Sequence, residues 1–152
     1  MAATVLSFAN FKGGVGKTST TALVGYNLSN LGYKVLIIDF DAQANLTSLL
    51  LKTKSAVDDI ITIDKSLMGA INDQIPLTDI TIEIKKNLTL IPNAVDFSMY
   101  PRYLERNYDN ETDRVSFFKK LLEPLKSEYD FIFIDVPPTL SLLNDTAFYA
   151  CD

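Results

Sequence analysis

The stretch FKGGVGKTST, residues 11–20, sets three glycines and two lysines between an apolar run and a segment of helical character. Few features constrain a fold more. A glycine-rich turn between a strand and a helix leaves several backbone N–H groups converging on one point, and the helix adds its positive end there. Such a point suits phosphate oxygens, and its usual sequence form is G-x-x-x-x-G-K-[ST]. Here the eight-residue window ending at Thr18 begins with Phe11 in place of the first glycine. Gly13, Gly14 and Gly16 still supply the freedom the turn needs, and Lys17 and Thr18 stand where the pattern requires them. By ordinary residue frequencies K-G-G-x-G-K-[ST] arises by chance on the order of 10⁻⁷ times per start position, which leaves little room for a glycine-rich turn without a ligand.

The surroundings of the turn predict a βαβ unit. TVLSFA (Thr4–Ala9) and KVLIID (Lys34–Asp39) are short runs rich in β-branched residues, and DFIFID (Asp130–Asp135) is a third, of the kind buried on both faces of a parallel sheet. Between the first two, Lys17 to Leu31 predicts a helix with Ala22, Leu23, Tyr26 and Leu28 inward and Gly32 closing its end. A helical crossover implies parallel strands. Further along, Ser66–Asn72 reads as a short helix, and Ile80–Ile84 and Leu88–Ile91 as two strands around Lys85-Lys86-Asn87. Thr112–Lys126 predicts an amphipathic helix through Val115, Phe117, Phe118, Leu121, Leu122 and Leu125, and Leu140–Ala150 another with Leu142, Leu143, Ala147 and Ala150 inward. The expected fold is α/β, a mostly parallel sheet with helices on both faces, in one domain over residues 1–152. An alternating fold would continue with another strand after that last helix, so the chain is expected to be the N-terminal part of a longer protein.

Composition removes several chemistries. The 152 residues contain no histidine, which excludes Ser–His and Cys–His nucleophiles and His-ligated zinc. The single Cys151 permits neither an internal disulfide nor a CxxC metal site. No run approaches the ~20 apolar residues of a bilayer crossing. The N-terminus MAATVLSFA carries no positive charge ahead of its apolar stretch, which argues against a secretory signal, so a cytoplasmic location is expected. With a net charge of −5, the chain as a whole is a poor non-specific binder of DNA, and any such role needs a local patch, an assembly or residues elsewhere.

NFKGGVGKTS (Asn10–Ser19) resembles the deviant Walker A box of the ParA/MinD family of P-loop ATPases, in which the leading glycine is not required and an extra lysine, here Lys12, precedes the glycine pair. DFDAQANLT (Asp39–Thr47) resembles the family's D-x-D-x-Q-x-N segment, and YDFIFIDVPPTL (Tyr129–Leu140) its Walker B strand and following prolines. Order and spacing agree, although Ala42 stands where partitioning proteins usually have proline. The likeness is closest to ParA/Soj-like plasmid or chromosome partitioning proteins.

This resemblance implies ATP and Mg²⁺ as ligands. The amides of Gly13, Gly14, Val15, Gly16, Lys17, Thr18 and Ser19 would cradle the phosphates, with Lys17 bridging the β- and γ-phosphates and the Thr18 hydroxyl on the metal. Asp135, at the C-terminal end of an apolar strand, is the Walker B candidate that holds Mg²⁺ through water. Asp39 and Asp41 close the second strand at the same sheet edge, and alternation along an extended chain turns both carboxylates to one side. By the resemblance Asp41 positions or activates the attacking water and Asp39 supports the magnesium shell. Lys12 would reach into a partner's nucleotide site in an ATP-sandwich dimer, as an arginine finger does elsewhere.

The implied function is an ATP-dependent switch. Slow Mg²⁺-dependent hydrolysis would be coupled to homodimerisation and to binding of nucleoid DNA or another surface, with a centromere- or cargo-binding adaptor as partner. Two other readings stay open: a MinD-like membrane-associated positioning ATPase, and a nucleotide-binding regulatory module without significant hydrolysis. A redox enzyme of the nitrogenase iron-protein type lacks the cysteines its cluster needs. Elsewhere, Lys85-Lys86 and Lys119-Lys120 read as solvated faces, while Arg102 and Arg106, set among Tyr100, Tyr103 and Tyr108, could form a basic aromatic surface for a partner or DNA.

Overall fold

A computed structural model describes residues 1–55 and 61–152. Its centre is a five-stranded sheet in the order β1-β5-β2-β4-β3, formed by β1 (Thr4–Leu6), β2 (Val35–Asp39), β3 (Ile82–Lys85), β4 (Leu88–Ile91) and β5 (Phe131–Asp135). The pairs β1–β5, β5–β2 and β2–β4 are parallel, and only β3 runs antiparallel, folding back from β4 through a turn in which Asn87 takes φ 67°. The mostly parallel sheet expected from the three apolar runs is present. The helix Asn45–Ser55 was not expected from the sequence, and other elements differ at their ends: β1 stops at Leu6 rather than Ala9, and Ile80, expected to start β3, instead closes a 3₁₀ turn, Leu77–Ile80.

β2 shows why these runs build a core. All five of its residues are buried, and alternation sends them to two different layers. Val35 and Ile37 pack with Ala22 of α1 (Lys17–Asn30) and with Leu46 and Leu50 of α2 (Asn45–Ser55). Leu36, Ile38 and Phe40 pack on the other face, beneath α3 (Leu67–Asn72), α4 (Tyr100–Asn107), α5 (Glu111–Leu122) and α6 (Leu142–Ala150). Helices therefore cover both faces. On the second face Phe40 meets Phe97, Tyr100 and Phe118 at ring-centroid distances of 4.8, 5.5 and 4.5 Å. Beyond α6, the Asp152 N–H donates to the Val5 carbonyl of β1 at 3.0 Å.

Two sequence expectations need correction. The inward face of α1 consists of Thr21, Ala22, Gly25 and Ser29, whereas Leu23 and Tyr26 are 62% and 39% exposed. Small side chains bring the helix axis close to the sheet, and larger ones cannot occupy that contact. Tyr100 belongs to no surface either. It is fully buried, stacked on Phe97, and its hydroxyl donates to Thr146 Oγ1 at 3.1 Å. The expected basic aromatic surface thus keeps only exposed Arg102 and Arg106 with half-buried Tyr103 and Tyr108.

Candidate functional site

The C-terminal ends of β1, β5 and β2 lie side by side, the edge at which open α/β sheets bind ligands. Three segments that are far apart in the chain meet there. The glycine loop follows β1, Asp41 follows β2, and Asp135 closes β5 directly opposite Asp39 in the parallel register. The loop, Asp41 and the residues after Asp135 border a cavity of about 630 Å³ lined by Gly13 to Ser19, Asp41, Gln43, Asn45, Leu49, Val136 and Pro138, while Asp135 itself is buried and does not line it.

The loop has the backbone that its glycines permit. Gly14 and Gly16 take φ values of 70° and 84°, in the left-handed region where a side chain would strain the chain, and Gly16 directly precedes α1. No side chain caps that helix end, so its free N–H groups are turned to the cavity edge formed by Lys17, Thr18 and Ser19. Lys17 Nζ donates to the Lys12 carbonyl at 3.2 Å. The Lys12 side chain is exposed and does not line the cavity, while its backbone N–H donates to Asn10 Oδ1 at 2.9 Å.

Thr18 Oγ1 donates to Asp135 Oδ2 at 2.8 Å, and Thr21 Oγ1 approaches Asp135 Oδ1 at 3.4 Å. Burial pushes the Asp135 carboxyl above the usual carboxylate range; the hydrogen bond from Thr18 opposes this and the Asp41 charge adds to it. A hydroxyl and a carboxylate oxygen side by side are hard donors of the kind magnesium takes. Among the described residues no cluster of three or more carboxylates, histidines or cysteines forms a self-sufficient metal cage. Magnesium does not require one, because it retains water and shares phosphate oxygens with the nucleotide. The residues present therefore fit the ion.

Asp39 and Asp41 do not share the cavity as simple alternation predicts. Asp41 lines it, whereas Asp39 is fully buried with its carboxylate engaged by Thr47 N, Thr47 Oγ1 and Asp41 N at 2.9, 2.7 and 3.2 Å. The chain turns back on itself at Asp41: Gln43 N–H donates to Asp41 Oδ1 at 3.0 Å, and Ala44 takes φ 53°. The extended alternation of β2 therefore does not carry on through Asp41. Asn93 completes this support, donating its Nδ2–H to the Asp39 carbonyl and its N–H to Thr47 Oγ1, each at 3.0 Å. Thr47 and Asn93 were not recognised from the sequence as parts of the site. The available signal was that a strand-end aspartate buried in a parallel sheet needs donors to keep its charge.

Comparison with known proteins bears on this geometry. A family model described as an AAA domain matches residues 3–152. The chain belongs to that family, as a P-loop ATPase of the ParA/MinD type. This ParA/MinD-type chain is 37% identical over 141 residues to the chromosome-partitioning ATPase Soj of Treponema pallidum, covering 91% of the chain and 50% of Soj. Among solved structures it resembles a cobyrinic acid a,c-diamide synthase from Mycobacterium smegmatis with bound ADP and magnesium, with TM-score 0.83 and 28% identity over 98% of the chain and 56% of the synthase. A Cyanothece McdA variant in complex with ATP matches equally well, with TM-score 0.83 and 28% identity over 99% of the chain and 54% of McdA. The chain spans about half the length of the curated relatives it matches. Among the described residues of this P-loop ATPase, no helix is long and apolar enough to cross a membrane.

Proposed function

We propose that this chain forms the nucleotide-binding part of a partitioning or positioning switch that hydrolyses ATP slowly. The observation that carries the reading is the cavity bordered by the glycine loop and Asp41, with Thr18 of that loop hydrogen-bonded to the buried Asp135 behind it. Relatives named as partitioning ATPases, and neighbours solved with ATP, ADP and magnesium, support it.

The roles follow from charge and position. The amides of Gly13 to Ser19 hold the phosphate chain, and Lys17 leaves the Lys12 carbonyl to bridge the β- and γ-phosphates. Thr18 and Asp135 would hold magnesium, which when bound would supply charge neutralisation to the phosphate chain. Asp41, at the cavity wall, orients the attacking water. Asp39 acts at one remove, pinning the Asp41 turn and the start of α2 through its three hydrogen bonds. Exposed Lys12 reaches the nucleotide of a second copy, so that ATP assembles a homodimer. That dimer binds DNA or another surface, and an adaptor protein stimulates the hydrolysis that releases it.

The test is ATP turnover by the full-length protein, alone and with duplex DNA and adaptor, alongside sedimentation of a Lys12→Ala variant with ATP. The expected results are a slow basal rate raised by the two ligands, and a variant that binds ATP as a monomer. A rate unmoved by DNA and adaptor overturns the switch, and a normal ATP-bound dimer of Lys12→Ala overturns the trans role.

A further inference from the structure

Asn144, in the first turn of α6, is buried beside the apolar Leu143 and Ala147 of the same helix. A buried carboxamide needs partners for two N–H groups and an oxygen, and all three come here from the loop that follows β5. Asn144 Nδ2 donates to the Pro137 carbonyl at 2.9 Å and to the Thr139 carbonyl at 2.7 Å, while Asn144 Oδ1 accepts from Thr139 Oγ1 at 3.3 Å. The Thr139 N–H closes back on the Pro137 carbonyl at 2.9 Å. One side chain thus latches residues 137–139 to the helix that succeeds them.

The latched loop is part of the phosphate cavity's wall. Val136 and Pro138 line the cavity, and Pro138 stands against the glycine loop, its Cγ 3.8 Å from where a Cβ on Gly13 would lie. Asp135 is paired with Asp39 across β5 and β2, and its carbonyl accepts the Phe40 N–H at 2.8 Å. The chain leaving β5 therefore runs beside the chain leaving β2 toward Asp41, the residue assigned above to the water that attacks the terminal phosphate. Pro137 and Pro138 have no N–H to offer a phosphate, and free carbonyls facing its oxygens would repel them. Bonded to Asn144, the Pro137 and Thr139 carbonyls are turned to α6 instead. On the reading of this cavity as an ATP site, we infer that Asn144 is a positioning residue for the terminal phosphate, holding Pro138 at the glycine loop and keeping the loop's carbonyls away from the γ-phosphate. It touches neither nucleotide nor metal. Because the inner phosphates rest on the amides of Gly13 to Ser19, Asn144 favours ATP over ADP and does not strengthen both alike.

The experiment titrates full-length protein calorimetrically with ATP and with ADP, both in EDTA so that neither metal nor turnover enters. Asn144→Asp keeps the side chain's shape but replaces its donor with an acceptor that repels both carbonyls. It should lose at least about tenfold in affinity for ATP and no more than about threefold for ADP. Ala147→Gly loosens the same helix without touching the latch, and it should keep the wild-type ratio of the two affinities. In wild-type protein the Asn144 Nδ2–H resonances should exchange slowly with solvent and shift further on addition of ATP than of ADP, a measurement that stands even if Asn144→Asp does not fold. Equal losses for the two nucleotides, a ratio moved as far by Ala147→Gly, or Nδ2–H resonances that respond alike to both overturns the positioning role while leaving the nucleotide site in place. Wild-type protein that binds neither nucleotide overturns the proposed function itself, and the role of Asn144 with it.

Discussion

Thr47 meets the buried carboxylate of Asp39 twice, through its backbone N–H at 2.9 Å and its hydroxyl at 2.7 Å, both on the same oxygen. The contact locks the first turn of α2 to the end of β2, and the same hydroxyl accepts the Asn93 N–H. Thr47→Val keeps the side-chain volume and the backbone bond but removes the hydroxyl. Hydrogen bonds to charged groups contribute about 1.5–3 kcal/mol, so the variant should unfold in urea with a stability loss of about 2 kcal/mol. A midpoint equal to wild type would show that the hydroxyl contributes nothing net.

Burial pushes the Asp39 carboxyl up to about 6 from an ordinary 3.8, overriding the hydrogen bonds from Thr47 and Asp41 that act to lower it. Its folded form thus holds a proton more tightly than its unfolded form. The associated stability is fully present below about pH 4 and is lost as pH rises through about 6. In protein freed of magnesium with EDTA, wild type should therefore lose stability relative to Asp39→Asn between pH 4 and 7. At 1.36 kcal/mol per pH unit the relative change is about 3 kcal/mol at most. Urea midpoints of the two proteins across that range check this, and parallel curves would contradict it.

The Thr18–Asp135 pair offers a way to separate metal binding from phosphate binding. Asp135→Asn preserves shape and removes the charge. With EDTA present, the variant should bind ATP within about threefold of wild type, because the loop amides and Lys17 are untouched. The gain in affinity on adding magnesium should fall by at least about tenfold, or 1.4 kcal/mol. Calorimetric titration with and without the ion distinguishes the two terms, and an undiminished magnesium effect would remove Asp135 from the metal's shell.

Gly25 of α1 is held against β2 so closely that a methyl group there would lie 2.6 Å from Ile37 Cδ1 and 3.2 Å from Cγ1. Overpacking of this kind costs about 1–3 kcal/mol, and the better helix propensity of alanine returns about 1. Gly25→Ala should accordingly destabilise by about 1 kcal/mol. Ile37→Val removes the Cδ1 atom and should cost about 1 kcal/mol alone, yet close to nothing in the Gly25→Ala background. Additive losses in the double-mutant cycle would exclude the clash as the cause.

The contrast between α5 and α1 shows how far local pattern can be read. In α5, Phe117, Phe118 and Leu122 recur at helical spacing and are buried as their sequence predicts, because large apolar groups fill the layer above Phe40. In α1 the same rule selects Ala22 and Leu28 correctly, but it fails for Leu23 and Tyr26, because the residues closest to the sheet are the small Thr21, Ala22, Gly25 and Ser29. The glycine loop, Asp41 and Asp135 were legible as a set, since phosphate and metal chemistry demands those residue types at the ends of successive strands. The Asp39–Thr47–Asn93 network was not, because its members come from β2, α2 and the segment after β4 and acquire meaning only as mutual hydrogen-bond partners.

What the amino-acid sequence determined by itself was local: the identity of most strands and helices, though not of α2, the backbone freedom of the glycine loop, and the chemical tools left by the absence of histidine. Tertiary structure alone decided which carboxylate reaches the cavity and which is buried, and which apolar residues of α1 remain outside. Periodicity specifies a direction around one element's axis. How near that axis lies to its neighbours, and which donors wait there, depends on contacts between segments far apart in the chain.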